Sequence, residues 1–335
     1  MDFRLGRVPD VKDIGLVGVP NSGKSTLFTA LTHTGSHGGR ANQAVVEVPD
    51  PRVRALSEME RSKKHVHAQV RFVDVPGGTS SAQGVASLRE IDALCIVVRC
   101  FGPDATPAEE LASVRADLLL ADLAIVDSAR EKAQKRARGK ATDETAALQR
   151  AHDALLAETP LRDAGLTADE LTHLRSLAPL TLKPWVVVAN MEEGSDVPPG
   201  LPEGTVGVWA AIEAEVADMD PDEAVALLDE FGVDEPGLQK VIAASYRALD
   251  LITFLTTSEN ESRAWEVRSG ATASEAAGTI HTDMKRGFIR AEVISFEDLA
   301  AVGGLDAAKH KGLVRVEGKD YVVREGDVFH VRFAV

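Results

Sequence analysis

The 335-residue chain holds only two cysteines, Cys95 and Cys100, and both fall inside one apolar run, "ALCIVVRC". That placement argues against a disulfide framework or a cysteine-built metal site, and it predicts buried thiols in a reducing cytoplasm. Aromatic residues are scarce, at 4%, in an otherwise ordinary globular composition. No apolar run is long enough to cross a bilayer, which excludes a spanning helix. The opening "MDFRLGRVPDVKD" lacks the basic-then-apolar order of a signal peptide. Basic residues are outnumbered, 37 Lys and Arg against 52 Asp and Glu, for a net charge of −15. Such a surface argues against a general nucleic-acid coat. A local patch survives this balance, because screening at physiological salt confines each charge to roughly 8 Å. The run "REKAQKRARGK", Arg130–Lys140, has six basic residues and one acidic. It reads either as a solvated helix face or as an RNA contact through Arg130, Lys132, Lys135, Arg136 and Arg138.

The length allows two or three domains. Four apolar, Val- and Ile-rich runs read as buried parallel strands: "IGLVGV" from Ile14, "VRFVDV" from Val70, "ALCIVVRC" from Ala93 and "PWVVVAN" from Pro184. They are separated by helical stretches, the pattern of a sheet covered on both faces. "VGVWAA" from Val206 is a weaker fifth strand. Between the third and fourth strands, Leu111, Val114, Leu118, Ala121 and Ile125 are spaced as in a heptad seam, and Leu148, Ala151 and Leu155 continue it in a second helix. Thr142 or Asp143 caps that second helix, and Thr167–Glu170 forms a capping box opening a third. From Leu251 onward, strands surround the helix "TASEAAGTIH", which opens with another capping box, Thr272 to Glu275. A small mixed sheet clasping one helix is the expectation there. His281, at the end of that helix, reads as a packing or capping residue.

Chemistry concentrates in "GVPNSGKS", Gly18–Ser25, which fits G-x-x-x-x-G-K-[ST] after a strand and before a helix. Consecutive backbone N–H groups and the helix N-terminus suit phosphates, Lys24 adds a point charge, and the Ser25 hydroxyl suits Mg²⁺. "DVPG" follows the next strand and places Asp74 for the metal and the Gly77 amide for the γ-phosphate. "ANMEE", Ala189–Glu193, ends the fourth strand where a base would lie. Guanine-specific proteins place Asn-Lys-x-Asp here. Asn190-Met191-Glu192-Glu193 lacks the Lys and lengthens the carboxylate, which impairs the guanine clamp.

Together, "GVPNSGKSTLF", "ALCIVVRCF", "LKPWVVVANMEE" and the C-terminal stretches "ASYRALDLITFLTTSENESRAWEVRSGATASEAAGTIHTDMKRGFIRAEVIS" and "VEGKDYVVREGDVFHVRF" resemble the YchF family of Obg-related P-loop ATPases. The resemblance runs from about residue 14 to the end. It implies an α/β P-loop nucleotide-binding (G) domain over residues 1–113 and 181–250, with a mostly parallel sheet. It further implies a helical coiled-coil insertion over 114–180 and a ubiquitin-like β-grasp TGS domain over 251–335. The implied activity is binding of ATP over GTP with hydrolysis, in a ribosome-associated switch of translation or stress control. By position, Asn21, Ser22, Gly23, Lys24, Ser25 and Thr26 hold phosphates, and Ser25 and Asp74 serve Mg²⁺. Asn190, Met191 and Glu193 surround adenine, and Lys24, Asp74 and Gly77 serve catalysis. Asn21 also resembles a loop asparagine linked to K⁺ dependence. The TGS domain and the basic run are the implied contacts to ribosomal RNA.

The chain departs from that family in parts that act on water. Its first switch segment, "HTGSHGGRANQAVVEVPDPRV", is short and holds only Thr34. Gly78 stands where the family has a hydrophobic residue after D-x-x-G. The loop "GPDATPAEEL" is truncated and lacks a histidine, and "AAIEAEV" lacks the small-polar-then-Lys start of the fifth nucleotide motif. Parts that grip phosphate remain, and parts that orient water are missing. Two functions stay open on these residues: a slow, partner-assisted hydrolase, or an ATP-responsive adaptor or RNA-binding module that hydrolyses nothing.

Overall fold

A computed structural model describes residues 11–32, 42–216, 219, 223, 227 and 236–334, and these gather into two compact units. The first comprises Lys12–Val46 and Arg71–Ser245. Its sheet has the order β2-β4-β1-β5-β6-β7, from β1 (Lys12–Val17), β2 (Asn42–Glu47), β4 (Gln69–Asp74), β5 (Ala93–Cys100), β6 (Trp185–Met191) and β7 (Val206–Val208). Strands β1, β5, β6 and β7 run parallel. Every strand expected from an apolar run is present, and those runs are apolar because helices cover both faces. Strand β2 was not foreseen. It lies at the sheet's edge, its residues alternate between half-buried and exposed, and Val45 stays 48% exposed.

Helices α1 (Lys24–Thr32), α3 (Ala82–Arg89), α4 (Pro107–Ala137), α5 (Asp143–Leu156), α6 (Ala168–Leu174) and α7 (Ala210–Val216) belong to this unit, as does most of the helix Gly237–Ala248. Helix α4 corrects the heptad expectation. Its first turns carry Leu111, Val114 and Leu118 into the core beneath β5 and β6, with Leu94, Ile96, Val98 and Val187. Its later turns carry Val126 and Ala133 into a separate core with Leu148, Ala151 and Leu155 of α5 and Leu174 of α6. One unbroken helix therefore serves both the sheet and the hairpin, and no structural break falls at residue 114. Thr142 caps α5, and Thr167 and Glu170 form the capping box of α6.

One residue fixes the hairpin's return. Asp122 of α4 is fully buried, and its carboxylate accepts from Leu180 N at 2.9 Å, Thr181 N at 2.7 Å, Thr181 Oγ1 at 2.8 Å and Arg89 Nη1 at 3.0 Å. A buried carboxylate is tolerated because these donors replace its lost hydration.

The second unit joins Glu47–Val70 to the described residues from Tyr246 onward. Its sheet order is β11-β10-β12-β8-β9-β3, from β3 (His65–Val66), β8 (Leu251–Thr257), β9 (Ser262–Arg268), β10 (Phe288–Ser295), β11 (Arg315–Glu317) and β12 (Asp327–Phe333). Strands β8 and β12 are parallel neighbours, and β8–β9 and β10–β12 are antiparallel. Helix Ala273–Ile280 packs Ala273 and Ala276 against Phe254, Val293 and Phe329. The mixed sheet and its helix form as expected, but the described residues of this unit add further helices, at Thr282–Arg286, Phe296–Val302 and Leu305–His310, that the one-helix expectation missed. Its Thr272–Glu275 capping box is present, and His281 caps the next short helix through Nδ1, which accepts from Asp283 N at 3.1 Å.

The surprise is Glu47–Val70, which falls within the 1–113 stretch read as nucleotide-binding domain. Helix α2 (Pro51–Glu60) and β3 belong to this second unit, and β3 pairs with β9 in parallel. Ser62 Oγ donates to Ser258 O at 2.7 Å and lies 2.8 Å from Ser262 Oγ. Arg52 forks onto Asp50, at 2.9 and 2.7 Å, and also reaches the Glu325 carboxylate. Glu325 in turn accepts from Thr253 N at 2.8 Å.

Candidate functional site

Between β1 and α1 the chain turns through Gly18, Asn21 and Gly23, at φ 159°, 63° and 89°. Gly18 and Gly23 are required by contact as well as conformation. A Cβ on Gly18 would lie 2.3 Å from Val97 O, and one on Gly23 only 2.0 Å from Asn190 Nδ2. Asn21 adopts the left-handed region that asparagine tolerates better than most residues. Ser22 is fully buried, whereas Asn21, Ser25 and Thr26 face solvent.

Lys24 begins α1, and its ammonium donates back to Gly18 O at 3.0 Å and Val19 O at 2.7 Å. The loop thus curls around its own cation. Burial lowers the Lys24 pKa, while the carboxylates of Asp74 and Glu110 pull it back up. Asp74 closes β4 and is buried. Burial raises its pKa, opposed by Lys24 and by a hydrogen bond from the Ser25 hydroxyl. The residues read as metal partners, Ser25 and Asp74, thus lie close enough for the Ser25 hydroxyl to act on the Asp74 carboxylate. An all-oxygen pair of one hydroxyl and one carboxylate is the donor chemistry that hard Mg²⁺ takes.

Beyond Asp74, Gly77 and Gly78 follow one another at φ 75° and 42°. Gly78 N donates to Val75 O at 3.0 Å, and no heavy atom lies within 4 Å of where a Gly78 Cβ would stand. The base motif sits across the loop. Asn190 is buried in β6, and its Nδ2 donates to Ser22 O at 3.2 Å, tying base motif to phosphate loop. Met191 ends β6, and its Sδ and Cε crowd the place a Cβ on Gly207 would take. Glu193 is exposed just beyond. Thr34 lies outside the described residues.

Two neighbours escaped the sequence. Glu110, near the start of α4, is 8% exposed and accepts from Arg99 N at 2.9 Å and Arg99 Nε at 3.1 Å. Arg99 Nη2 also donates to Asp104 O at 2.9 Å, pinning the shortened loop. The signal was a lone Arg at the end of an apolar strand, across a short connection from the Glu109–Glu110 pair. Phe101 is the other, and its ring would stand 3.8 Å from a Cβ on Gly23.

The basic run is less available than its composition promised. Arg130 is turned onto Asp127 at 2.9 Å, Gln149 at 3.2 Å and His152 at 3.1 Å. Arg136 pairs with Glu144 at 2.5 Å. Lys135 is 79% exposed, with Glu131 at 3.8 Å, and Lys132 and Arg138 face solvent.

Comparison with known proteins gives a consistent picture. Residues 251–334 match the C-terminal domain family of YchF GTPases, described as a "protein of unknown function", and residues 13–128 match the "50S ribosome-binding GTPase" family. The "Ribosome-binding ATPase YchF" of Haemophilus influenzae is 40% identical over 358 residues, spanning 96% of this chain and 99% of that protein. Its Bacillus subtilis counterpart of the same name is 37% identical over 361 residues, with the same coverage. Among solved structures, the Schizosaccharomyces pombe YchF GTPase superposes with a TM-score of 0.85 at 27% identity, covering 97% of this chain and 98% of that one.

Proposed function

Because the chain belongs to the YchF family, we propose that it binds a purine nucleoside triphosphate, ATP ahead of GTP, and hydrolyses it slowly as a ribosome-associated regulatory switch. The observation that carries this is the joining of Gly18–Ser25, Asp74 and Asn190 at one mouth of the sheet, with Lys24 held inside the loop. In the nucleotide complex the Lys24 ammonium leaves the carbonyls of Gly18 and Val19 for phosphate oxygens, and the loop amides of Asn21 to Thr26 align on the same group. Asn190 holds the loop in register with the base, and Met191 and Glu193 border the purine. Ser25 and Asp74 would hold Mg²⁺, which supplies charge neutralisation along the phosphates. Asn21, exposed beside the loop, would offer an oxygen to K⁺, a role that a rate compared in KCl and NaCl would test.

ATP preference follows from the base motif. A methionine replaces the lysine of the guanine-reading sequence, and Glu193 replaces its aspartate at a longer reach. Slow turnover follows from Gly78, which has no side chain to aim a water. The residues from Leu251 form a TGS domain on this reading, and the solvent-facing Lys132, Lys135, Arg136 and Arg138 of the hairpin meet ribosomal RNA. The missing side chain also favours a second reading, an ATP-responsive adaptor without hydrolysis. Titration calorimetry with Mg-ATP and Mg-GTP, beside a phosphate-release assay with and without ribosomes, separates them. Tighter ATP binding and a rate that ribosomes raise are expected. Binding without release under every condition leaves the adaptor standing, and no binding of either nucleotide at millimolar concentration removes both.

A further inference from the structure

The turn after Asp74 is held by α3 and α4. Its glycines are left-handed, Gly78 is buried, and a Cβ on Gly84 of α3 would lie only 2.2 Å from Gly78 O, so the turn is packed directly on that helix. Thr79 Oγ1, on the next residue, donates to Asp117 Oδ2 of α4 at 2.8 Å. This turn leads into α3 through Ser81, whose hydroxyl caps that helix at Gly84 N. At the other end of α3, Arg89 donates to Asp122 Oδ1 at 3.0 Å and to Ala121 O at 3.0 Å. Helix α3 and its leading turn are thus gripped at both ends by about one and a half turns of α4.

Helix α4 is also the rod of the hairpin, running unbroken to Ala137, and Asp122 fastens the chain returning from that hairpin at Leu180 and Thr181. A shift of α4 along or about its axis carries Asp117 and Asp122 together, because packed helices move as rigid bodies. The displacement arrives at the turn beside the phosphate loop through two side chains. We propose that Asp117 is a positioning residue: through Thr79 it sets the Gly77–Ser80 turn, and so couples docking of the hairpin on the ribosome to the rate of hydrolysis. This rests on the function proposed above and names its regulation.

The test uses the full chain, Mg-ATP and purified ribosomes. ATP affinity, and KM and kcat for phosphate release, are measured with and without ribosomes, wild type first. A wild type whose rate ribosomes do not raise overturns the switch itself and this coupling with it. Given stimulation, Thr79→Val and Asp117→Ala should leave ATP affinity and KM within about twofold while the stimulated-to-basal ratio of kcat falls at least about fivefold, the size of one lost hydrogen bond. The double variant should fall no further, since one bond is removed either way. Thr79→Ser and Asp117→Asn keep a hydroxyl donor and an oxygen acceptor, so each should restore most of the ratio. Wild-type ratios in both single variants, effects that multiply in the double, or failure of the conservative pair to restore would each overturn the coupling while leaving the switch intact.

Discussion

Gly23→Ala tests whether the base motif props the phosphate loop. At φ 89° an alanine pays for the left-handed backbone, about 1–2 kcal/mol. Its methyl would also stand 2.0 Å from Asn190 Nδ2, so the amide must swing away. That swing breaks the 3.2 Å bond to Ser22 O and leaves a buried donor unmet, about 1–3 kcal/mol. The loop shape that fits phosphate is disfavoured by the sum, about 2–5 kcal/mol, so ATP affinity should fall by at least roughly 30-fold. Calorimetric titration in wild type, Gly23→Ala, Asn190→Ala and the double variant closes a cycle. With Asn190 truncated the clash is gone and only the backbone cost remains. The Gly23 effect should then shrink by about 1–3 kcal/mol, roughly 5- to 150-fold. Gly102→Ala, at φ 78° with no heavy atom within 4 Å, is the control for backbone cost without collision. Purely additive effects of Gly23→Ala and Asn190→Ala would refute the steric link, provided each variant keeps its far-UV circular dichroism.

Asp122→Asn puts an amide among four donors and leaves Arg89 without its charge partner, so the first unit should lose about 3 kcal/mol of stability. Denaturation followed by Trp185 and Trp209 fluorescence reports on that unit, and a loss under about 1 kcal/mol would show the hub to be incidental. Burial favours the neutral thiol and pushes Cys95 up to about 12 and Cys100 up to about 11. At pH 8 the Cys100 thiolate is then roughly 100-fold scarcer than in an ordinary cysteine, and alkylation should climb about tenfold per pH unit towards pH 10. Reaction of the native protein at the rate of free cysteine would contradict this. Reversing the exposed Lys135 and Arg136 to Glu should weaken ribosome association and flatten its salt dependence by about two phosphate contacts. An unchanged salt slope would return the run to solvated surface.

The legible parts of this molecule were those written locally. A phosphate loop is eight consecutive residues, buried parallel strands are unbroken apolar runs, and a capping box spans four positions. Asn190 was legible because a base motif follows its strand directly. What escaped depends on partners far along the chain. Asp122 looks like any acid on a helix, and its acceptor role appears only when Leu180 and Thr181 return to it. Glu47–Val70 carries no composition shift to mark it, and its place beside Ser262 and Glu325 is settled by contacts 200 and 273 residues apart. Leu111, Val114 and Leu118 have heptad spacing because any helix face laid on a flat apolar surface has it. A sheet and a second helix present the same demand, so periodicity alone cannot choose between them.

Binding and hydrolysis differ here in which parts of the fold supply them. On the proposed function, phosphate is met by backbone amides, one lysine and one hydroxyl carried by β1, α1 and the loop that Asn190 props, so affinity should need nothing from outside. Hydrolysis needs a water held in line, and the residue after Asp-x-x-Gly has no side chain to hold it. The nearest hydroxyl in sequence, Thr79, is engaged by Asp117, on the helix that also builds the hairpin. On the proposed coupling, the turn that orders over the nucleotide answers to α4 as well as to phosphate. By the same proposal, a chain arranged this way turns over slowly when free and faster when its hairpin is gripped.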